Sequence, residues 1–486
     1  MAFSRRIIHT LGKSCPNSPS KKLRPRTISS STPPARSTAN ALAEDLQQEF
    51  AEFCFPNSPQ KERNMATATQ YDLDVFHRFE SQVNSYGRSF PVSFEKAEDC
   101  FMYSTNGKRY IDFLMGAGSL NYGHNNRFLT KVMKDYIDEK GVLQGLDMYT
   151  PAKEEFLKTL NEVILEPRKL DYKTQFTGPT GTNAVEAALK LARKATGRHN
   201  IVAFTNGYHG MSQGSLACTG NAKSRKGAGM PLSGVDRIPF CNYLSDVDSL
   251  NYFEKFLGDP SSGYDIPAAV LLETVQGEGG LNVASNSWLR RVESICRKHE
   301  ILLIVDDIQA GIGRTGTFFS FEPSDIKPNI VTLSKSLSAS GLPMSVVLFD
   351  RDLDRFWSPG EHNGTFRGNN LAFSTATEAL KRYWSTPDFQ DQVVRKAKYL
   401  KNQLESIAAE YGDLFTLKGR GLMVGLSCKK PEVAALIKDQ CFHNQLMVET
   451  CGPRDEVVKF FPALNAPEKV IGDAMEILRK SIEESL

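Results

Sequence analysis

The strongest constraint in this chain is a pattern repeated between residues 200 and 340. A short, wholly apolar run stops abruptly in polar residues: IVAFTNGYHG (201–210), AAVLLETVQGEGG (268–280), ILLIVDDIQAGIGRTG (301–316) and IVTLSKS (330–336). Near-continuous β-branched and Leu-rich runs suit strands buried on both faces, as in a parallel sheet. Segments with helical spacing, such as 183–196 and 287–299, supply the crossovers that such a sheet needs. The chain therefore reads as α/β, and its 486 residues leave room for a second, smaller core. In open α/β sheets ligands gather beyond the carboxyl ends of the strands, where the polar clusters fall here.

The remainder divides around that centre. Residues 1–66 are rich in Ser, Pro and charge and read as a non-core extension with one short helix near 41–55. Residues 1–43 hold eight Lys/Arg and no Asp or Glu, as organelle transit peptides do. The alternative is a disordered basic tail on a cytoplasmic protein, with Met65 as a second start. Order is expected from about Asp72. Residues 90–93 and 100–104 read as strands, and NGKRYIDF (106–113) as a turn into another. Residues 67–120 would open a small domain, 121–371 form the large one, and 372–486 complete the small one. That last part has helices at 373–384, 432–444 and 468–484 and strands in GLMVGLS and VVKFFPAL.

Beyond residue 43 the chain holds 51 Lys/Arg against 56 Asp/Glu, with no basic stripe interleaved with aromatics, which argues against nucleic acid. No run approaches the ~18 apolar residues of a membrane helix. Nine cysteines without a CxxC pair suggest neither a disulfide frame nor a zinc site.

Five segments carry chemistry. In FTGPTGTNAVEAALKLAR (176–193) a Gly/Thr turn runs into a helix, whose free N–H groups and dipole suit a phosphate; Gly181, Thr182 and Asn183 are best placed. An ordinary capped helix is the commoner meaning of such a turn alone. Tyr208, in NGYHG after a strand, could stack on a flat heteroaromatic ring. Asp306 and Asp307 end an apolar strand, where a buried carboxylate needs a partner; a protonated pyridine nitrogen would serve. The rival, a metal, lacks a His or third carboxylate at ligand spacing. Lys335 ends another buried strand among Ser and Thr, where desolvation makes a lysine nucleophilic. The fifth, EHNGTFRGNNLA (361–372), reads alone only as a polar loop.

In this order the segments resemble the class III (ω-type) aminotransferases. The resemblance runs from about Asp72 to the C-terminus, and its most specific part is Asp306–Gln309, then GIGRTG, then Ser334–Lys335. It implies pyridoxal 5′-phosphate (PLP) fold type I, aspartate-aminotransferase-like. In that fold a mostly parallel seven-stranded sheet lies between helices, beside a smaller α+β domain. It implies a catalytic set of Lys335, Asp306 and Tyr208. Lys335 would carry the cofactor as a Schiff base and shuttle a proton, and Asp306 would pair with the pyridine nitrogen. Gln309 would lie near the ring hydroxyl, Tyr208 on one ring face and Ile308 on the other. Gly181, Thr182 and Asn183 would hold the phosphate, with His209 and Glu273 also lining the cofactor. Thr365 would reach the phosphate of a neighbouring subunit's cofactor, implying a homodimer or higher homo-oligomer with shared sites. No metal is implied.

Within the class, FESQVNSYGRSFP, LNYGHNN, QGLDM, ETVQGEGG and GEHNGTFRGNNLAF resemble the diaminobutyrate branch of ectoine biosynthesis. That branch passes the amine of L-glutamate to L-aspartate 4-semialdehyde. Alternatives are enzymes acting on GABA, ornithine or a polyamine aldehyde, or a catalytically dead PLP binder. Two departures concern substrate. Glu273-Thr274 replaces the common Glu-Pro, and Lys459 stands where ornithine- and GABA-type relatives carry a carboxylate-reading Arg. Lysine makes no bidentate pair, so Lys459 and Arg367 both remain as carboxylate readers, with Glu278 as the partner of one of them.

Overall fold

The computed structural model describes residues 73–245 and 247–486. The basic extension with its helix, the leader and the onset of order at Asp72 fall outside them. Strands are numbered along the chain. β1 (Phe94–Glu98), β2 (Phe101–Ser104) and β3 (Arg109–Asp112) form an antiparallel meander. The apolar runs then give β4 (Tyr172–Phe176), β5 (Ile201–Phe204), β6 (Val235–Ile238), β7 (Ala269–Leu272), β10 (Leu302–Asp306), β11 (Ile330–Leu333) and β12 (Val346–Asp350). Between β7 and β10 lies a small hairpin of β8 (Val275–Gln276) and β9 (Asn282–Val283).

The seven longer strands join in the order β4-β12-β11-β10-β7-β5-β6. β12 runs antiparallel to both neighbours, and the other pairings are parallel. Every residue of β5, β7 and β11 is buried, as the apolar runs require of a sheet covered on both faces. The helix Gly181–Thr196 buries Ala184, Val185, Ala187, Ala188, Leu189, Leu191 and Ala192 and ends at Gly197, whose φ of 68° lies in the left-handed region that favours glycine.

Downstream, β13 (Phe415–Arg420), β14 (Met423–Cys428), β16 (Glu449–Cys451) and β17 (Val457–Phe460) form an antiparallel sheet in the order β13-β14-β17-β16. β15 (Leu446–Met447) instead adds in parallel to β3, so the N-terminal meander and the C-terminal segment share a sheet. Wholly buried Arg314 ties the parts together. Its guanidinium donates to the carbonyls of Leu422 (3.2 Å) and Pro462 (2.6 Å) and to Asn121 Oδ1 (2.6 Å).

Two expectations need correction. Residues 90–93 are not a strand: Pro91 has no N–H for a ladder, and the Val92 N–H turns back to the Phe90 carbonyl (2.7 Å). The helix expected at 373–384 starts earlier, as Asn370–Trp384, because the Asn369 side chain accepts from the Ala372 N–H (3.2 Å). That helix also runs across the 371/372 division.

Candidate active site

The polar residues that end the parallel strands come together. Asp306 closes β10 opposite Thr332 of β11. Its Oδ1 accepts from the Thr332 hydroxyl (3.1 Å) and the Ile308 N–H (3.3 Å), and its Oδ2 meets His209 Nδ1 at 2.8 Å. The resemblance puts His209 in the cofactor lining without saying what it touches; the structure places it against Asp306, where it braces the carboxylate. Glu273, just beyond β7, accepts from the N–H groups of Tyr208 (2.9 Å) and Gly277 (3.1 Å). It thereby pins the loop that carries Tyr208. Burial pushes its carboxyl up to about 7.

Lys335 follows β11 and is partly buried, with φ 47°, a left-handed backbone uncommon for a side-chain-bearing residue. Neighbouring tethers hold that turn: Ser334 Oγ donates to the Met344 carbonyl (2.9 Å) and Ser336 Oγ to the Gly118 carbonyl (2.7 Å). Burial lowers the Lys335 amine, while Glu278, Glu449 and Asp306 oppose that shift and Lys459 adds to it.

The helix Gly181–Thr196 starts beside these groups. A Cβ at Gly181 would come within 3.0 Å of Ile308 Cδ1, and one at Gly210 within 2.4 Å of Thr182 Oγ1. Only glycines let the helix start, Ile308 and the loop after β5 close into a cradle. Asn183 folds back, its Nδ2 donating to Thr180 Oγ1 (3.0 Å). The Thr182 hydroxyl contacts Ser212 (2.6 Å) and Ser215 (2.5 Å), and Ser212 donates to Glu186 Oε1 (2.8 Å). This hydroxyl chain was not foreseen; polar positions four residues apart on the helix, Thr182 and Glu186, are the trace it leaves in sequence.

Gln309 Nε2 donates to the Ala117 carbonyl and to Glu278 Oε1, each at 3.2 Å. Glu278 Oε1 also accepts from Lys459 Nζ (2.9 Å), which lies 2.8 Å from Glu449 Oε1. Burial alone would raise Glu278, but Lys459 and Lys335 pull it below the usual carboxylate range. Burial likewise opposes the charge on Lys459, and Glu278 and Glu449 outweigh it. Glu449 was missed at the sequence level. Arg367 is elsewhere: it pairs with Asp147 and lines a cavity of about 440 Å³ with Lys153, Gln175 and Trp357. Thr365, beside it, is exposed.

The family model described as aminotransferase class-III matches residues 83–482. The chain belongs to the class-III aminotransferases. This aminotransferase is 57% identical over 413 residues to the diaminobutyrate–2-oxoglutarate transaminase of Vibrio cholerae, covering 85% of this chain and 100% of that one. It is 53% identical over 416 residues to that of Halomonas elongata, with 85% and 99% covered. Among solved structures, an aminotransferase of Bacillus anthracis superposes with TM-score 0.76 at 23% identity, covering 85% of this chain and 98% of that one. The ornithine aminotransferase of Toxoplasma gondii gives 0.74 at 24%, covering 93% and 99%.

The enzyme's cofactor is PLP, and the donor set fits it. A glycine-built helix start suits its phosphate, a buried carboxylate its ring nitrogen and a partly buried lysine its aldehyde.

Asp307 has different partners from Asp306. Its Oδ2 accepts from the Ser320 N–H (2.9 Å), and its Oδ1 is buried with no partner among the described residues. Burial pushes this carboxyl up to about 7, against about 3.9 in an unfolded chain. The folded state thus holds the proton more tightly. The stability this group contributes is full below about pH 4 and is lost as pH rises through about 7. Asp307→Asn removes the dependence, while Glu273 keeps its own in both proteins. The melting temperature of the variant should gain about 2–4 °C on the wild type between pH 5 and pH 8. A pH-independent difference in scanning calorimetry would refute a proton on Asp307.

Proposed function

We propose that this aminotransferase converts L-glutamate and L-aspartate 4-semialdehyde to 2-oxoglutarate and L-2,4-diaminobutanoate. The observation that carries the reading is its 57% identity, along the full length of that relative, to a diaminobutyrate–2-oxoglutarate transaminase. The buried Lys459, paired with half-exposed Glu278 beside Lys335, supports it, because L-glutamate needs a cation near the reacting carbon and the semialdehyde does not.

PLP would supply an electron sink and a carrier for the amino group between the two substrates. The chain's residues do the rest. Lys335 Nζ, its proton affinity lowered by burial, takes the proton from the substrate carbon that bears the amine and returns it on the other side of the exchange. Asp306, braced by His209 and Thr332, holds the ring nitrogen. The N–H groups of Gly181 and Thr182 hold the phosphate while the Thr182 hydroxyl braces the loop behind them. Asn183 secures the turn, Tyr208 and Ile308 flank the ring, and Gln309 positions Glu278. Lys459 reads the α-carboxylate of L-glutamate.

We extend the proposal to a homodimer. Arg367 pairs with Asp147 rather than with a residue of the Lys335 cluster, Thr365 is exposed, and exposed Met148, Tyr149 and Phe366 supply an apolar face nearby. Thr365 and Arg367 then serve the partner's site. We propose ectoine biosynthesis as the pathway it serves, on the resemblance of its motifs to the diaminobutyrate branch. The acid-free leader supports delivery to a mitochondrion or other organelle, with the cytoplasm as the alternative.

The test mixes the PLP form separately with L-2,4-diaminobutanoate, L-ornithine and GABA and follows cofactor absorbance. Conversion should be fastest with diaminobutanoate, by about tenfold or more, since ornithine adds one methylene and GABA lacks the α-amino group. Faster conversion by either competitor overturns the substrate while leaving the family intact.

A further inference from the structure

Lys459 meets two carboxylates that are held very differently. Glu278 sits in the Gly-rich turn between β8 and β9, with 35% of its side chain exposed. Glu449 lies on β16 directly opposite Lys459 on β17, and its side chain is 13% exposed. Residues facing each other across an antiparallel ladder have Cβ atoms about 4.5–5.5 Å apart, so the backbone itself fixes this pair. On the other side of Lys459 the ladder places Gly425 of β14, which brings no competing side chain. The second oxygen of Glu449 accepts from the Tyr86 hydroxyl (3.3 Å), and Tyr86 belongs to the segment FESQVNSYGRSFP, to which the mechanism above gives no task.

We propose that Glu449, steadied by Tyr86, is a positioning residue that holds the Lys459 ammonium in place while its other anion changes from Glu278 to the α-carboxylate of L-glutamate. The proposal rests on Lys459 as reader of that carboxylate. It follows from the difference between lysine and arginine. An Arg fork orients itself against a carboxylate, whereas a lysine is a point charge on a freely rotating stem. Once Glu278 lets go, nothing else charged and fixed would keep that point in the site. The ammonium has three N–H donors. Glu449 stays against it as an ion pair at 2.8 Å, Glu278 or substrate takes an N–H, and the face of the Phe461 ring lies 4.8 Å from Nζ. Glu278, on a glycine turn and the more exposed, is the member able to leave.

The test is glutarate, which has the carbon chain and both carboxylates of glutamate but no amine to transfer. Its binding to the holoenzyme is measured by calorimetry, beside the half-reactions of L-glutamate and L-2,4-diaminobutanoate. Glu449→Ala should weaken glutarate about tenfold and raise the glutamate KM about tenfold with kcat changed less than about threefold. Glu449→Gln keeps an oxygen facing Lys459 and should stay within about threefold of wild type, and Tyr86→Phe should weaken glutarate about threefold. The diaminobutanoate reaction, whose reacting carbon bears no carboxylate, should lose no more than about threefold. Unchanged or tighter glutarate binding in Glu449→Ala overturns the proposal, tighter binding being what removal of a negative charge alone would give. Equal losses for both amino donors also overturn it, as a general packing defect. If Glu449→Ala does not fold, Tyr86→Phe decides, and wild-type affinity in that variant sinks the idea. A wild-type enzyme that binds glutarate but shows no half-reaction with L-glutamate would instead count against the proposed function.

Discussion

Lys335→Ala is expected to slow the half-reaction with L-glutamate by about 10⁴-fold or more. A positioned general base is worth about 10²–10⁴-fold on its own, and in the proposed mechanism the same amine would also anchor the cofactor covalently. Among the described residues the lysine that neighbours it electrostatically, Lys459, cannot replace it: Lys459 is engaged by Glu278 and Glu449 and has its proton affinity raised, the wrong direction for a base. Rapid-mixing absorbance on cofactor-loaded protein checks the outcome. A variant within about tenfold of wild type would show that the proton moves by another route.

Asp306→Asn should lower the same rate on the order of 10²–10³-fold, the range for losing one preorganised charge in a buried site. The substitution keeps the shape, and the contacts to Thr332 and Ile308 can persist. What is lost is the charge that, in the proposed mechanism, would face the ring nitrogen. Cofactor content should stay near that of wild type, because in the proposed mechanism the phosphate would be held by the helix start at Gly181, on a different element. Normal rate with normal cofactor content would remove Asp306 from the mechanism; loss of both would make it a folding residue.

The residues differ in how plainly their sequence announced them. Asp306 and Lys335 were legible because each terminates a continuous apolar run, and a charge there has few meanings. The four helices placed at 183–196, 287–299, 432–444 and 468–484 fall within two residues of the observed ends for the same reason: period and caps are local. The contact of His209 with Asp306 spans 97 positions and that of Glu278 with Lys459 spans 181, and no periodicity carries such a distance. Glu449 is the instructive omission. It lies ten positions from Lys459, and folding the hairpin about the CGPRDE turn sets the two face to face. The segment was passed over because its strands are short and nothing marked their register. Residues 90–93 erred in the other direction: apolar content suggested a strand that Pro91 forbids.

Lys335 hangs from the large sheet and Lys459 from the C-terminal sheet, and Arg314 is clamped where the two meet. In the proposed mechanism the gap between the reacting amine and the carboxylate-reading charge would therefore be a ruler whose marks are cut by interior packing. A chain built this way can alter the length of substrate it prefers without touching a residue that meets substrate. Changing the volume around Arg314, Asn121 or Pro462 would slide one end of the ruler against the other. Relatives with identical active-site residues could then differ in the amino acids they accept, and the cause would lie in a wholly buried seam that an inventory of site residues passes over.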